Sequence, residues 1–221
     1  MLKRLLSYFL PITIYQKNSA LSKNIEISWN NGQLVMDSKN TNYSYGSLQR
    51  ALRKGLKYIG FDKIKSMEAI LILGVAGGSI VKTLVDEIQY KGKITGIEID
   101  ADIIKIANDY FGLDQIPNLE IIIDDAFEFV LKTKKHYDLI IIDVFQDTRM
   151  PSFLFEKFFM NRVGFLLKNN GCILFNTMIL NAEQNQRNMR YFDEFNYEPF
   201  KIFKLPRIEE HNELFIIEKI E

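Results

Sequence analysis

The residues of this chain that could do chemistry recur at one kind of place, directly after a short apolar run. Gly74-Val75-Ala76-Gly77-Gly78-Ser79 follows the run 69–73, and Glu98-Ile99-Asp100 follows 94–97. Asp124-Asp125-Ala126 follows 119–123, Asp143 follows 137–142, and Asn176-Thr177 follows 172–175. The small residues from 74 to 79 let main chain approach a ligand closely, and a helix starting there points free amides at it. Glu98 stands 24 residues past Gly74. At that spacing a carboxylate can receive the two hydroxyls of a ribose. Asp124, Asp125 and Asp143 would ring the same crevice, where they repel a pyrophosphate and favour a cation. S-adenosylmethionine, a nucleoside carrying a sulfonium and an ammonium, meets both conditions.

Each signal has a plainer counterpart. A glycine-rich turn alone is weak evidence, and the strict Gly-x-Gly-x-x-Gly spacing falls here on Gly74, Ala76 and Ser79. Asp100 and Asp125 also suit helix N-caps. Asp143 could hydrogen-bond its own loop, and Tyr45 could be core packing. Arg50, Arg53, Lys54 and Lys57 read as a solvated helix face. His136 precedes the fourth apolar run and His211 lies in a terminal turn, so neither suits catalysis. Asp143 and Asn176 together are too few oxygen ligands for Mg²⁺, and no CxxC or HExxH spacing suggests zinc, so no metal is expected. Cys172, the single cysteine, cannot form an internal disulfide and reads as buried and inert.

The elements that must position these residues form a regular series. Runs 69–73, 94–97, 119–123, 137–142 and 172–175 read as strands, the continuous apolar run 69–73 as one buried on both faces. Helical periodicity separates them: 45–59 before the first, then 80–88, 103–110, 127–131 and 153–167, with a further helix at 185–195. The segments 200–203 and 214–217 read as a closing antiparallel pair. Strand and helix alternating at this spacing predicts an α/β fold with a mostly parallel sheet, in which ligands bind outside the carboxyl ends of the strands. Before it, 25–29 and 33–36 flank Asn30-Asn31-Gly32, a strong hairpin signal. The expected organisation is an amino-terminal β-hairpin element over 1–43 and a Rossmann-like cofactor-binding domain over 44–221.

Composition narrows the class further. The 28 Lys and Arg balance 28 Asp and Glu, so no basic excess draws in nucleic acid. No apolar run reaches the roughly 18 residues needed to span a bilayer. The apolar start, with Lys3 and Arg4, ends at Pro11, too short for a secretory signal. A cytoplasmic protein without membrane insertion is expected, its first residues packed on its own body or on a partner. The exposed hairpin and apolar start are compatible with a homodimer.

Four segments together resemble a family. Leu71 through Ser79, Gly96 through Asp100, Ile123-Asp124-Asp125-Ala126-Phe127-Glu128-Phe129, and Asp138 through Asp143 are similar to successive motifs of the spermidine synthase (polyamine aminopropyltransferase) family. That family has the class I S-adenosylmethionine-dependent methyltransferase fold, and the likeness runs over roughly residues 25 to 180. It implies that Glu98 holds the ribose hydroxyls, with Ile99 beside it. It implies that Asp125, next to Asp124, contacts adenine together with the backbone of Ala126. Gly74, Ala76, Gly77 and Gly78 would lie along the nucleoside and its tail. Asp143 would deprotonate and orient an attacking amine, with Tyr45 on the opposite wall.

Two positions depart from the family pattern. Gly77 stands where spermidine synthases carry an Asp for the amine of decarboxylated S-adenosylmethionine. Gln146 stands at a second acidic position, with Asp147 one residue late. A buried ammonium lacking its carboxylate loses several kcal/mol of affinity. The leading expectation is therefore an S-adenosylmethionine-dependent methyltransferase acting on a small-molecule acceptor. The first alternative is an aminopropyltransferase using decarboxylated S-adenosylmethionine. The second is a non-catalytic nucleoside-binding protein.

Overall fold

A computed structural model describes residues 2–19, 21–22, 24–38, 42–146 and 148–220. The amino-terminal part is a short helix, α1 (Leu2–Leu6), and an antiparallel sheet ordered β1 (Ile12–Lys17), β2 (Ile25–Asn30), β3 (Gln33–Asp37), β4 (Asn42–Ser44). The expected hairpin is its centre: β2 and β3 pair from Glu26–Asp37 to Asn30–Gln33. Asn31 and Gly32 both have positive φ, at 48° and 76°. That is the backbone a two-residue turn needs to match strand twist. The sheet exceeds a hairpin because β1 and β4 add an edge on each side.

Helix α1 docks on that turn through Arg4 Nε, which donates to the Gly32 carbonyl at 3.0 Å, and Ser7 Oγ, which accepts from the Gly32 amide at 3.0 Å. Leu2, Leu5, Leu6, Phe9 and Leu10 remain exposed. Among the described residues no helix is long and apolar enough to cross a membrane.

Next come α2 (Gly46–Ile59) and α3 (Phe61–Lys65), then the strands of the main sheet: β5 (Ala69–Leu73), β6 (Lys93–Glu98), β7 (Leu119–Ile123), β8 (Tyr137–Ile142), β9 (Leu167–Met178), β10 (Phe200–Ile208) and β11 (Asn212–Lys219). The connecting helices are α4 (Ser79–Lys82), which runs on through a π turn over 83–87, α5 (Ala101–Phe111), α6 (Ala126–Lys132), α7 (Lys157–Leu166) and α8 (Ala182–Phe195). Strand order is β10-β11-β9-β8-β5-β6-β7. Strands β5 to β9 pair in parallel, while β10 and β11 run antiparallel. The order reverses between β5 and β8, and an open α/β sheet opens its crevice at such a point.

Four of the apolar runs form central strands covered on both faces, while 119–123 is the edge strand β7, with Glu120 and Ile123 exposed. Ile70 and Ile72 pack into one core with α2, α4 and α5, while Leu71 and Leu73 pack into the other with α6, α7 and α8. Each of the four is fully buried, contributing roughly 1.5–3 kcal/mol. A third cluster, Ile25, Ile27 and Met36 against Ile103 and Ile106, seats the antiparallel sheet on α5.

Two expected elements differ. The helix expected over 153–167 is a 3-10 turn (Ser152–Phe155) and then α7, because Glu156 adopts an extended backbone with ψ 136°. The short fifth strand is a twelve-residue one, because β11 pairs with β9 from Asn212–Met178 onward and carries it past the apolar run.

Candidate functional site

The tips of four of the five parallel strands are locked to one another by backbone hydrogen bonds, and Asn176 ties in the fifth through Asp143. Past the last strand residues, the Gly74 amide donates to the Ile97 carbonyl at 3.0 Å, Asp124 to Glu98 at 3.1 Å and Asp143 to Leu73 at 2.9 Å. They bound a cavity of about 610 Å³ lined by Gly74, Glu98, Asp124, Asp143 and Asn176, one residue from each tip. The volume suits a nucleoside-sized ligand with room for a second small molecule.

Gly74, with φ 86°, is where the turn could hold no other residue. A Cβ there would sit 2.2 Å from the Asp143 carbonyl oxygen. Ala76 has φ 47°, the left-handed backbone that the missing glycine of the strict pattern would adopt. Its amide therefore points at Glu98. The Glu98 carboxylate accepts from Val75 N (3.2 Å) and Ala76 N (2.9 Å) on Oε2 and from Asp100 N (3.1 Å) on Oε1. Burial pushes its pKa up, against the lowering effect of the amides.

Asp125 caps α6, its Oδ1 accepting from Phe127 N at 2.8 Å and Glu128 N at 3.3 Å, while it also lines the cavity. Its two roles are compatible, since Oδ2 receives no hydrogen bond among the described residues. Asp124 Oδ1 accepts from the Asp125 amide at 2.9 Å. Asp100 is a buried cap of α5, accepting from Asp102 N at 3.0 Å, and does not reach the cavity. Ile97, Ile99, Ile103, Ala126 and Phe153 supply an apolar wall.

Asp143 sits at the switch point between β5 and β8. Its Oδ1 accepts from Asn176 Nδ2 at 2.8 Å, and Asn176 Oδ1 accepts from Asn212 Nδ2 at 2.9 Å. This chain of amides fixes the carboxyl without neutralising it. Burial, with Glu98 nearby and only the Asn176 bond opposing, raises the Asp143 pKa to about 7. A carboxyl poised there can hold an ammonium or take up its proton. Among the described residues no group of His, Cys, Asp and Glu is arranged to hold a metal ion.

Three expected site residues lie elsewhere. Tyr45 does not line the cavity. At φ 67° its ring stacks on Phe111, centroids 4.4 Å apart, and its hydroxyl is buried without a hydrogen-bond partner. Gly77 and Gly78 also stand off. A Cβ on Gly77 would meet Ser44 Cβ at 2.7 Å, and one on Gly78 would meet Leu113 Cδ1 at 2.4 Å. At both positions the absence of a side chain lets β4 and the 3-10 turn over 113–115 pack closely. Asp147 lies outside the described residues. In the other direction, Ser22, Asn24, Leu48, Met178 and Asn212 line the cavity without any sequence signal. They come from the antiparallel sheet, α2 and the last strands, whose approach is a tertiary matter.

A profile of the spermine/spermidine synthase domain matches residues 51–207. The chain belongs to that family. The polyamine aminopropyltransferase of Vibrio vulnificus is 29% identical over 144 residues, 63% of this chain and 47% of that protein. The eEF1A lysine and N-terminal methyltransferase of Bos taurus is 26% identical over 121 residues, 49% of this chain and 17% of that protein. The chain thus spans about half the length of the aminopropyltransferases it matches, and less of the methyltransferase.

Solved structures share the fold. A spermidine synthase in complex with the transition-state analogue AdoDATO superposes with TM-score 0.69 at 19% identity, over 95% of this chain and 73% of that one. Human methyltransferase-like protein 13, in complex with SAH, gives 0.66 at 19%, over 80% and 83%. The proteins this chain is similar to are thus named for two different transfers, aminopropyl and methyl.

Proposed function

We propose that this protein is an S-adenosylmethionine-dependent transferase, most simply a methyltransferase with an amine acceptor. The observation that carries this reading is the gathering of four carboxylates, Glu98, Asp124, Asp125 and Asp143, around one cavity without an ion-paired cation among the described residues. Charge of one sign left unpaired in a partly dry cavity is matched by a cationic ligand. The residues fit S-adenosylmethionine. Glu98 would take the ribose hydroxyls with the lone pairs its amide donors leave free. Asp125 Oδ2 and the Ala126 backbone would meet adenine, against Ile99. Relatives in complex with SAH and AdoDATO support the same ligand class. When bound, the cofactor supplies an electrophilic carbon on its sulfonium.

The rest is done by this chain's own groups. Asp143 would hold the acceptor amine by hydrogen bond and receive the proton the nitrogen sheds, the new N–C bond forming as the C–S bond of the sulfonium breaks and its electron pair returns to sulfur as a neutral thioether. The Asn176–Asn212 amide chain keeps the carboxyl aimed. Apolar Ile97 and Phe153 limit water around the reacting atoms.

Aminopropyl transfer is the second reading, favoured by the aminopropyltransferase relatives. Against it, the position expected to hold the cofactor's amine is Gly77, which backs onto Ser44 and brings no carboxylate to the cavity. Calorimetric titration of the whole chain with S-adenosylmethionine and with its decarboxylated form separates the two. Tighter binding of the parent compound is expected. Preference for the decarboxylated form moves the assignment to aminopropyl transfer, and absence of binding by both rejects the transferase.

A further inference from the structure

The cavity is chemically lopsided. Its described lining carries four carboxylates, Glu98, Asp124, Asp125 and Asp143. The lining residues that follow Asp143 in the chain include Gln146, Thr148, Arg149, Met178 and Asn212, with no acid among the described ones. Arg149 is held there by a closed turn: Gln146 N donates to the Arg149 carbonyl at 2.8 Å and Arg149 N returns to the Gln146 carbonyl at 3.0 Å. Its side chain makes no hydrogen bond or ion pair among the described residues, and it borders both this cavity and the groove along α8.

A second guanidinium, Arg187, lines that groove but not this cavity. Arg187 donates to the Met178 carbonyl at 3.0 Å and to Asn188 Oδ1 at 2.9 Å, and covers the Phe155 ring at 3.9 Å. Arg187 is thus already occupied in holding the end of β9. Arg149 is free to meet a ligand.

A diamine bound with one nitrogen at Asp143 would bring its second ammonium toward the Arg149 guanidinium, and like charges so placed repel. A carboxylate in the same place would pair with Arg149 in the bidentate manner its planar fork favours. We infer that the acceptor is an amine bearing a carboxylate at its far end, an ω-amino acid in class, with Arg149 as the residue that selects it against diamines. This rests on the transferase reading above.

The test uses the whole chain saturated with S-adenosylhomocysteine. It is titrated calorimetrically with 4-aminobutanoate and 5-aminopentanoate and with the diamines of matching length, putrescine and cadaverine. The amino acids are expected to bind at least about tenfold more tightly, and Arg149→Glu to reverse the order by a similar factor. Arg149 is exposed, so its replacement should leave the melting temperature in place. Tighter diamine binding by the wild type, an unchanged ratio in Arg149→Glu, or binding of neither series overturns the inference. So does loss of diamine binding in Asp147→Asn, which would reveal a distal acid. If S-adenosylhomocysteine itself gives no heat and no protection, the transferase reading fails instead, and the two failures are told apart.

Discussion

The two ends of the same five strands treat charge in opposite ways. At the amino ends, Lys168 pairs with Glu68 (2.9 Å) and Asp138 (3.0 Å), and Lys93 with Glu120 (2.9 Å), all on the surface. At the carboxyl ends, Glu98, Asp124, Asp125 and Asp143 have no ion-pair partner among the described residues and are held by backbone amides and Asn176. The consequence appears in two glutamates one strand apart. The hydrogen bond from Lys93 lowers the Glu120 pKa, while burial raises that of Glu98. One edge has its charges satisfied by its own neighbours. The other keeps an excess that only a ligand can satisfy, and it does so at the point where the sheet topology opens a crevice.

The largest effect should come from Asp143→Asn. The isosteric amide keeps the Asn176 neighbour but cannot accept a proton, so transfer should fall about 100-fold or more, measured as kcat at saturating acceptor. Binding of S-adenosylmethionine should survive within a small factor. Activity within about threefold of wild type would remove Asp143 from the chemistry. Gly74→Ala comes next. The added methyl meets backbone rather than a yielding side chain, at 2.2 Å, and sits at φ 86°. A loss of about 3 kcal/mol or more is expected in denaturant unfolding, with the two strand tips driven apart.

A third prediction turns on pH. The Asp143 carboxyl titrates near 7 in the fold against 3.8 unfolded, so folding favours its protonated form. Its stabilising contribution is complete below pH 3.8 and is lost as pH rises through 7. The difference in unfolding free energy between wild type and Asp143→Asn should therefore drift by up to about 4 kcal/mol across that window, the wild type losing ground as pH rises. Glu98, also raised by burial, acts in the same direction in both proteins, so that only its charge coupling to Asp143 enters the difference. A flat difference would mean that Asp143 is solvated in the free protein, and the contrast between the two sheet edges would narrow.

Much of this was legible in the chain itself. The strands Ala69–Leu73, Leu119–Ile123 and Tyr137–Ile142 have the limits their apolar runs predict, each stopping where the polar tip begins; the first and third are central and buried on both faces, while Leu119–Ile123 forms the sheet edge and leaves Ile123 exposed. Gly74, Glu98, Asp124, Asp125 and Asp143 follow those runs and meet at the cavity for the same reason. Tyr45, Gly77 and Gly78 stand off the cavity and pack against other elements, a placement their types could not announce because small residues and aromatics serve packing as readily as binding. What decides between the two is Ser44, Leu113 and Phe111, which lie far away in sequence or on another element. Asn212 and Met178 were invisible because their place is set by the register of β11 on β9. Long-range pairing of that kind leaves no local pattern.

The smallest effect is predicted at the other edge, and it is the control for the comparison. Lys168→Ala removes two ion pairs at the amino ends, one to a largely exposed Glu68. Exposed pairs contribute about 0–1 kcal/mol, and screening by salt erodes even that. The Asp138 carboxylate keeps its backbone partners, accepting from Glu68 N at 3.0 Å and Ala69 N at 2.9 Å, so the start of β5 stays anchored. The variant should unfold within about 1 kcal/mol of wild type in low salt and indistinguishably from it in high salt, with cofactor binding unchanged. A larger loss, or weaker cofactor binding, would mean that strain at the amino ends travels along the strands to the cavity. The two edges would then have to be treated as coupled.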